Sequence, residues 1–380
     1  MALDRIFNVT DARRYAWRAI PRVVFDYIDG GAEDEVTMAQ NMAAFREISF
    51  RPRMAVEADQ PDLATTIFGT PLSMPVLLAP CGLVRLMHPD GAIGAARAAA
   101  DAGIVSVLST VAGTAPEDVA EASSGPKWFQ LYKLGGLDAA DALVERATAS
   151  GYQALVITID TNVLGRRERD LRHGVSVPIH VGVRQALRIG PQMAARPRWA
   201  YGYARDRLAE RGAGATGRHV PDMDHSPFTW ADIEHVRDRW DGPLLVKGVL
   251  TGDDARRSLQ AGADGVIVSN HGGRQLEGAP ATIRVLPEVV AAVGAQGAVL
   301  LDSGVRRGGD VVKAVALGAD AVLVGRAYLY GLAAGGQAGV ARVLDLLRDE
   351  MARTMALMGC PSVSALDRDW LRPGAEAAKG

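Results

Sequence analysis

The chain has 380 residues, of which 48% are hydrophobic, and this is enough apolar material for one large barrel or two average domains. Its formal net charge of −2 provides no general attraction for nucleic acid. Two cysteines fit a reducing compartment, and the absence of a signal peptide and of any apolar run of about 18 residues predicts a cytoplasmic protein without a membrane span.

Residues 1–73 are predicted to form a helical segment that precedes the main fold. The ends of three predicted helices are marked by capping residues, by Pro21 and by a pair of glycines. The helices are Ala12–Ile20, Arg22–Ile28 and Glu33–Phe45. Tyr27 lies within the second of them. The pattern alone favours a core aromatic residue at this position.

From residue 74 onward, strand-length apolar runs alternate with alanine-rich helical segments. The runs are Met74–Pro80, Ile104–Ser109, Trp128–Tyr132, Ala154–Asp160, Leu244–Val249, Gly265–Asn270, Ala298–Ser303 and Ala321–Arg326. Eight strands alternating with helices predict an α/β fold, a parallel (β/α)8 TIM barrel over residues 74–350 within a single domain spanning 1–380. A doubly wound open sheet is the alternative, but no Gly-x-Gly-x-x-Gly follows the first strand.

One connection is far longer than the others. The 83 residues Thr161–Pro243 separate the fourth and fifth strands, and this length predicts a functional insertion, a loop or flap placed at 178–229. Its middle, 184–211, contains seven arginines together with Trp199, Tyr201 and Tyr203. Basic residues mixed with such aromatic residues are typical of membrane-surface segments. A solvated flap over the barrel mouth is the alternative of equal weight.

The carboxyl ends of barrel strands are where chemistry is expected. Polar residues recur at these ends, although the strands themselves are apolar. The loops Asp302–Arg306 and Gly325–Arg326 combine glycine amides with arginines, which predicts phosphate binding after the seventh and eighth strands. Lys247 ends the fifth strand, where it can offset negative charge on a ligand or form a Schiff base, as in barrel aldolases.

The sixth strand leads into the most informative stretch, residues 269–276, which reads Ser-Asn-His-Gly-Gly-Arg-Gln-Leu. His271 can accept a proton near neutral pH, and Arg274 offers a fork of donors that matches a carboxylate. The two glycines allow a sharp turn and the close approach of a ligand. This pairing indicates a general base beside an anion clamp, whereas the alternative is a glycine-rich turn with a surface histidine.

The same stretch resembles the signature of the FMN-dependent 2-hydroxy-acid oxidases and dehydrogenases. Residues 24–35, Val-Phe-Asp-Tyr-Ile-Asp-Gly-Gly-Ala-Glu-Asp-Glu, are similar to the N-terminal motif of that family, and the resemblance extends over 7–366. It implies FMN as cofactor, oxidation of an (S)-2-hydroxy acid to the 2-keto acid, and a homotetramer. The implied FMN-contacting residues are Pro80, Cys81, Gly82, Ser109, Gln130, Thr158, Lys247, Ser269, Asp302, Ser303, Gly304, Val305, Arg306, Gly325 and Arg326.

The resemblance also implies the roles of the catalytic residues, and it implies no metal site. His271 would be the base, and Asp160 would stabilise its protonated form. The substrate carboxylate would be held by two arginines assisted by two tyrosines: Arg167, Arg274, Tyr27 and Tyr132.

Two positions bear on the acceptor and the cofactor. Gly82 stands where oxidases of the family typically have alanine, which implies slow reaction with oxygen and another acceptor, such as a quinone. Cys81 stands where the family often has threonine, so a hydroxyl contact to the flavin is not expected there. Together with the insertion, these features imply a peripheral location on the inner face of the cytoplasmic membrane.

The implied substrate is (S)-mandelate, which would be oxidised to phenylglyoxylate. Several segments are most similar to (S)-mandelate dehydrogenases, and Val111 leaves room for a phenyl group. L-Lactate and glycolate are the alternatives within the family. Outside it, a lysine-dependent aldolase on Lys247 and a non-catalytic flavin-binding barrel remain, and the intact set of His271, Arg274, Arg167 and Asp160 disfavours the second of these.

Overall fold

A computed structural model describes residues 3–174, 183–212 and 226–372, with the backbone alone for 183–188 and 206–212. Eight parallel strands close into a barrel, and each strand pairs with its sequence neighbours, the eighth with the first. The predicted TIM barrel is therefore confirmed, and the open sheet is excluded. The strands are β1 Val76–Leu78, β2 Ser106–Ser109, β3 Lys127–Leu131, β4 Ala154–Thr158, β5 Leu244–Val249, β6 Gly265–Val268, β7 Ala298–Leu301 and β8 Ala321–Val324.

The barrel strands are mainly apolar because both of their faces are buried, and polar exceptions such as Gln130, Thr158 and Lys247 lie near the carboxyl ends of their strands. In β6, Val266 and Val268 pack outward against the helices, whereas Ile267 points into the barrel interior. At the amino-terminal end of the barrel, a hairpin of Thr65–Ile67 and Thr70–Leu72 places Phe68 against Trp128, with ring centroids 6.0 Å apart. Side chains thus fill the interior of the barrel and cover its amino-terminal end.

Helices surround the barrel and extend it at both termini. In the described residues they are α1 Val9–Ala19, α2 Arg22–Asp29, α3 Val36–Glu47, α4 Gly91–Asp101, α5 Pro116–Ala122, α6 Leu137–Ala149, α7 Glu168–Arg172, α8 Val183–Ala194, α9 Pro197–Gly212, α10 Trp230–Arg237, α11 Gly252–Gln260, α12 Thr282–Val293, α13 Gly308–Ala316 and α14 Arg326–Met358. Helix α14 is interrupted at Gly335 and Gly336, whose backbone angles are not helical. Helix α3 begins three residues later than predicted, because Glu33 and Glu35 adopt left-handed backbone angles.

The N-terminal helices bring α2 to the carboxyl ends of the strands. Helix α1 packs on α14, and the backbone N–H of Ala32 donates to the carbonyl of Gly273 over 2.8 Å. The pair of short strands Ser49–Phe50 and Leu371–Arg372 ties the N-terminal segment to the end of the chain. As a result, Tyr27 faces the barrel mouth although it precedes the barrel in sequence.

The connection after β4 contains helices α7 to α10. Its residues 175–182 and 213–225, and with them part of the insertion predicted at 178–229, lie outside the described residues. Trp199 donates its indole N–H to the carbonyl of Leu86 over 2.7 Å and stacks on Tyr203, with centroids 5.1 Å apart. Tyr201 is 70% exposed. Two of the three predicted interfacial aromatic residues therefore pack towards the barrel, and one faces outward. None of the helices in the described ranges is both long and apolar enough to cross a bilayer.

Candidate active site

One pocket opens at the carboxyl ends of the strands and contains about 1300 Å³ of space, part of it open to solvent. Most of the predicted site residues line it. Four others lie in or directly behind its wall and are largely buried, namely Gln130, Thr158, Asp160 and Ser269. The fold therefore brings together residues from all eight strand ends and from α2, as the sequence predicted.

His271 and Asp160 form a hydrogen-bonded pair at the mouth. The His271 Nδ1 and Asp160 Oδ1 atoms are 2.9 Å apart, which leaves Nε2 as the basic nitrogen of the neutral ring. Burial lowers the pKa of His271, although the Asp160 carboxylate partly offsets this effect. Burial also opposes ionisation of Asp160, but His271 and Lys247 outweigh it and lower the pKa of this carboxyl group. His271 can therefore act as a neutral base, and the Asp160 carboxylate beside it favours the uptake of a proton by the imidazole.

The backbone around His271 is unusual. His271 has a φ of 58°, and Gly272 and Gly273 continue the left-handed conformation. A side chain at Gly272 would meet the Arg326 guanidinium, and one at Gly273 would meet the backbone of Met38. Strain of this kind, on the order of 1–3 kcal/mol per residue, persists only where the surroundings impose it, and it is concentrated at functional sites.

Two arginines face the pocket near the histidine. Arg274 donates to the carbonyls of Tyr27 and Gly30 over 2.7 and 2.9 Å, and its guanidinium lies 5.1 Å from the Tyr27 ring centroid. Arg167 has one long contact, 3.4 Å to Gln275, and its buried Nε has no hydrogen-bond partner. Burial, together with the nearby Arg274, lowers the pKa of Arg167 to about 10. An anionic ligand would relieve both the charge repulsion and the unmade hydrogen bond.

Tyr132 lines the same part of the pocket as the two arginines. Burial and the charge of Asp160 raise its pKa, so the phenol remains neutral and can donate a hydrogen bond. Its backbone N–H donates to the Thr110 hydroxyl over 3.1 Å, which fixes the end of β3.

Lys247 is buried near the carboxyl end of β5 and has two partners. Its Nζ donates to the Ser269 hydroxyl over 2.8 Å and lies 3.2 Å from Asp302 Oδ2. Burial favours the neutral amine, but Asp302 and Asp160 outweigh it and raise the pKa of Lys247. The amine is therefore an ammonium ion at neutral pH. A Schiff-base lysine needs the unprotonated amine, so the aldolase interpretation loses its chemical basis.

The opposite end of the pocket is built from the loops after β7 and β8. Ser303 and Gly304 have positive φ angles of 74° and 95°. Helix α14 begins directly after Gly325, and Gly325 and Arg326 line the pocket, so the amino-terminal end of this helix lies beside it. The side chain of Arg306 donates to the carbonyl of Val305 over 2.8 Å and also lines the pocket. This is the arrangement of amides and charge that binds a phosphate monoester.

Arg326, which is predicted to contact the cofactor, lines the pocket, and its side chain is held by backbone carbonyls. Its guanidinium donates to the carbonyls of Ile28, Gly272 and Gly30 over 3.0, 2.8 and 2.8 Å. Burial lowers its pKa to about 10. Arg326 therefore ties α2 to the His271 loop, and its backbone N–H at the start of α14 is the group that can reach a phosphate.

Several buried polar atoms around the pocket have no hydrogen-bond partner. They are Gln130 Nε2, Thr158 Oγ1, Asp160 Oδ2 and Arg167 Nε. Buried polar groups are nearly always paired in a complete structure, so such a cluster marks the site of a polar ligand. Gln130 and Thr158 lie on adjacent strands β3 and β4, where they present hydrogen-bonding groups to a flat polar ring.

Sequence reasoning missed the role of Gln275. Its amide donates to the carbonyls of Asp160 and Val163, both over 2.9 Å, and accepts from the N–H of Gly165 over 3.2 Å. It joins the loops after β4 and β6, and thus the two loops that carry Arg167 and Arg274. Its place in the 269–276 motif was the only available signal. The apolar lining residues Leu134 and Leu164 carried none.

Comparisons with known proteins agree with this geometry. A family described as FMN-dependent dehydrogenase matches residues 16–373. An (S)-mandelate dehydrogenase of Pseudomonas putida is 41% identical over 382 residues, covering 97% of this chain and 94% of its own length. A peroxisomal (S)-2-hydroxyacid oxidase of Arabidopsis thaliana is 41% identical over 370 residues, covering 97% of both chains. The crystal structure of a monotopic membrane protein, (S)-mandelate dehydrogenase, superposes with a TM-score of 0.88 at 40% identity, covering 97% of this chain and 100% of that one.

Proposed function

The chain belongs to the FMN-dependent dehydrogenase family, and within it we propose that the enzyme oxidises (S)-mandelate to phenylglyoxylate and delivers the electrons to an acceptor other than oxygen, such as a quinone. As a member of this family, it is an FMN-dependent oxidoreductase that acts on 2-hydroxy acids. One observation carries the catalytic proposal. The partnerless Nε of Arg167 lies in a pocket that also contains Arg274 and a hydrogen-bonded His271–Asp160 pair.

The residues present fit FMN. The amides and Arg306 after β7 and β8 suit the phosphate, while Gln130 and Thr158 offer buried groups without partners to the ring. Lys247 places a positive charge where negative charge would develop on the ring. When bound, FMN supplies the capacity to accept two electrons from the substrate.

The protein residues then orient the substrate and accept a proton. Arg167 and Arg274 bind the carboxylate, and this bidentate contact turns C2 and its hydroxyl towards His271. His271 Nε2 accepts a proton, and Asp160 stabilises the resulting imidazolium. Tyr27 and the neutral phenol of Tyr132 donate to the oxygen atoms of the bound acid.

An aromatic substrate is supported by the apolar part of the pocket. Val111, Leu134 and Leu164 line it, and Gly82 adds no side chain beside Val111. L-Lactate and glycolate are the smaller alternatives. Steady-state rates with mandelate, lactate and glycolate, each with oxygen and with a dye acceptor, test the proposal. A kcat/KM for lactate or glycolate above that for mandelate would refute the substrate, and faster turnover with oxygen would refute the acceptor.

Peripheral membrane association through residues 184–211 is the second part of the proposal. Arg198 and Arg205 are exposed, as is Tyr201, and each basic residue near an anionic bilayer contributes about 1 kcal/mol, attenuated by salt. The structural similarity to the monotopic membrane protein (S)-mandelate dehydrogenase also supports peripheral membrane association. The alternative is a flap that touches no lipid.

Replacing Arg198 and Arg205 by glutamate and Tyr201 by serine tests the membrane proposal, because these changes spare the contact of Trp199 with Leu86. We expect the variant to lose sedimentation with anionic vesicles at low salt and to keep its turnover with a soluble dye. If the wild type never sediments with such vesicles, the flap interpretation replaces membrane docking. The proposed homotetramer can be checked on the same samples by light scattering.

A further inference from the structure

The proposed substrate clamp spans two separate parts of the chain. Tyr27 belongs to α2 in the N-terminal segment, whereas Arg167 belongs to the loop between β4 and α7. No short stretch of backbone links them. The distance between these two side chains therefore depends on noncovalent contacts, among them those between the segment around α2 and α7.

Arg169, on α7, provides two of these contacts, and His173, directly after α7, provides another with Asp26 over 2.7 Å. Arg169 Nη1 donates to Asp29 Oδ2 over 2.8 Å, and its Nη2 forms a second, short ion pair with Glu35. Its side chain is 27% exposed, and that of Asp29 only 4%. Asp29 lies two residues after Tyr27, and Arg169 lies two residues after Arg167. The ion pair therefore joins the chain segments on both sides of the clamp.

The turn before α3 depends on the same contacts. Glu33 and Glu35 have left-handed φ angles of 44° and 63°, a conformation that is costly for residues other than glycine. Glu35 accepts from the N–H of Gly31 over 2.9 Å while its other oxygen binds Arg169, and the N–H of Glu33 donates to the carbonyl of Arg166 over 2.8 Å. Contacts from α7 and from the loop before it thus hold this turn in place.

We propose that Arg169 is a positioning residue for substrate binding, which sets the separation of Tyr27 and Arg167 by tying Asp29 and Glu35 to α7. The inference rests on the proposed clamp, because it assigns Arg169 the task of completing it. Arg169 does not line the pocket and so acts on the substrate only through its neighbours.

Arg13 offers a matched control within the same network. It binds the same Asp29 carboxylate from α1, with its Nε at 2.5 Å from one oxygen and its Nη2 at 2.7 Å from the other, and its side chain is 47% exposed. It has no described contact with α7. Loss of Arg13 therefore removes a comparable ion pair without releasing α2 from α7.

The experiment compares Arg169→Leu, Arg169→Lys and Arg13→Leu as FMN-loaded enzymes. For each variant it measures KM and kcat for the 2-hydroxy acid that the wild type oxidises fastest, the Kd of oxalate from the change in flavin absorbance, FMN content and thermal unfolding. We expect Arg169→Leu to raise KM and the oxalate Kd by about ten- to a hundred-fold, as for misplacement of a binding group by about 1 Å. Arg169→Lys should recover part of this loss, and Arg13→Leu should change both constants by less than about threefold at a similar loss of thermal stability.

Equal increases of KM and of the oxalate Kd in Arg169→Leu and Arg13→Leu would show that Arg169 has only a structural role. Unchanged KM and Kd in Arg169→Leu would also overturn the proposal. If Arg169→Leu does not fold, Glu35→Gln replaces it, because this change weakens only one of the two contacts. We expect Glu35→Gln to raise KM and the Kd of oxalate several-fold. Unchanged constants in this variant would contradict the inference. A wild type that fails to bind oxalate would refute the clamp and this proposal with it. Poor oxidation of mandelate alone would refute only the proposed substrate.

Discussion

Removal of the negative charge beside His271 is the sharpest test of the catalytic assignment. In Asp160→Asn the side chain keeps its size and can still accept a hydrogen bond from Nδ1, but it no longer attracts the imidazolium. The two atoms are 2.9 Å apart in the wild type. For charge centres about 4 Å apart, an effective dielectric constant of about 20 gives roughly 4 kcal/mol of stabilisation. Because part of the hydrogen bond remains, we expect flavin reduction to slow by a factor of about 10² to 10³.

The pH dependence provides an independent readout. The base must be neutral to act, and burial already lowers the pKa of His271 below its ordinary value near 6.5 despite the opposing effect of Asp160. In the wild type, kcat/KM should therefore hold down to below about pH 6.5 and then fall as the ring is protonated. In Asp160→Asn the carboxylate no longer stabilises the imidazolium, so the fall of kcat/KM on the acid side should occur at lower pH. The maximal kcat/KM should also be smaller.

Anaerobic stopped-flow measurement of the loss of flavin absorbance is the assay, with His271→Asn and the double variant as references. The two residues act as a unit, so the double variant should be little slower than His271→Asn alone. A rate of reduction in Asp160→Asn close to that of the wild type, or an acid limb displaced to higher pH, would refute the pairing. Unchanged FMN content is the necessary control.

Three further predictions follow from the site. His271→Asn should retain FMN and bind oxalate but lose at least a factor of about 10² in flavin reduction, and near wild-type reduction would remove it as the base. Arg167→Met and Arg274→Met should each raise KM and the oxalate Kd by an amount equivalent to roughly 2–5 kcal/mol with FMN retained, and unaltered kinetics with every 2-hydroxy acid would contradict the clamp. Gly82→Ala would place a methyl group 2.9 Å from Val111 Cγ2, so KM for mandelate should rise and a second change, Val111→Ala, should partly restore it. No recovery in the double variant would show that the crowding arises elsewhere.

Much of the barrel could be predicted because its strands have a local signal. Each strand is a short apolar run that is buried on both faces, and the break to polar residues occurs where the ladder ends. Ser269 and Asn270 fell within the predicted sixth strand, but the strand ends at Val268, and these two residues begin the mouth loop. The gathering of His271, Arg274, Lys247 and Asp302 followed from topology alone, since all parallel strands end on one side.

The fold class and the pocket end could be predicted because periodicity and composition are local properties, and the roles of the site residues were implied by the resemblance of short motifs. The partner of each charged group became clear only in the folded structure. Arg326 holds backbone carbonyls of α2, Trp199 packs towards the barrel, and Arg169 bridges to Asp29, 140 residues earlier in the chain. Such choices depend on distances and burial between remote segments, where several acceptors compete for each donor, and the folded geometry selects among them.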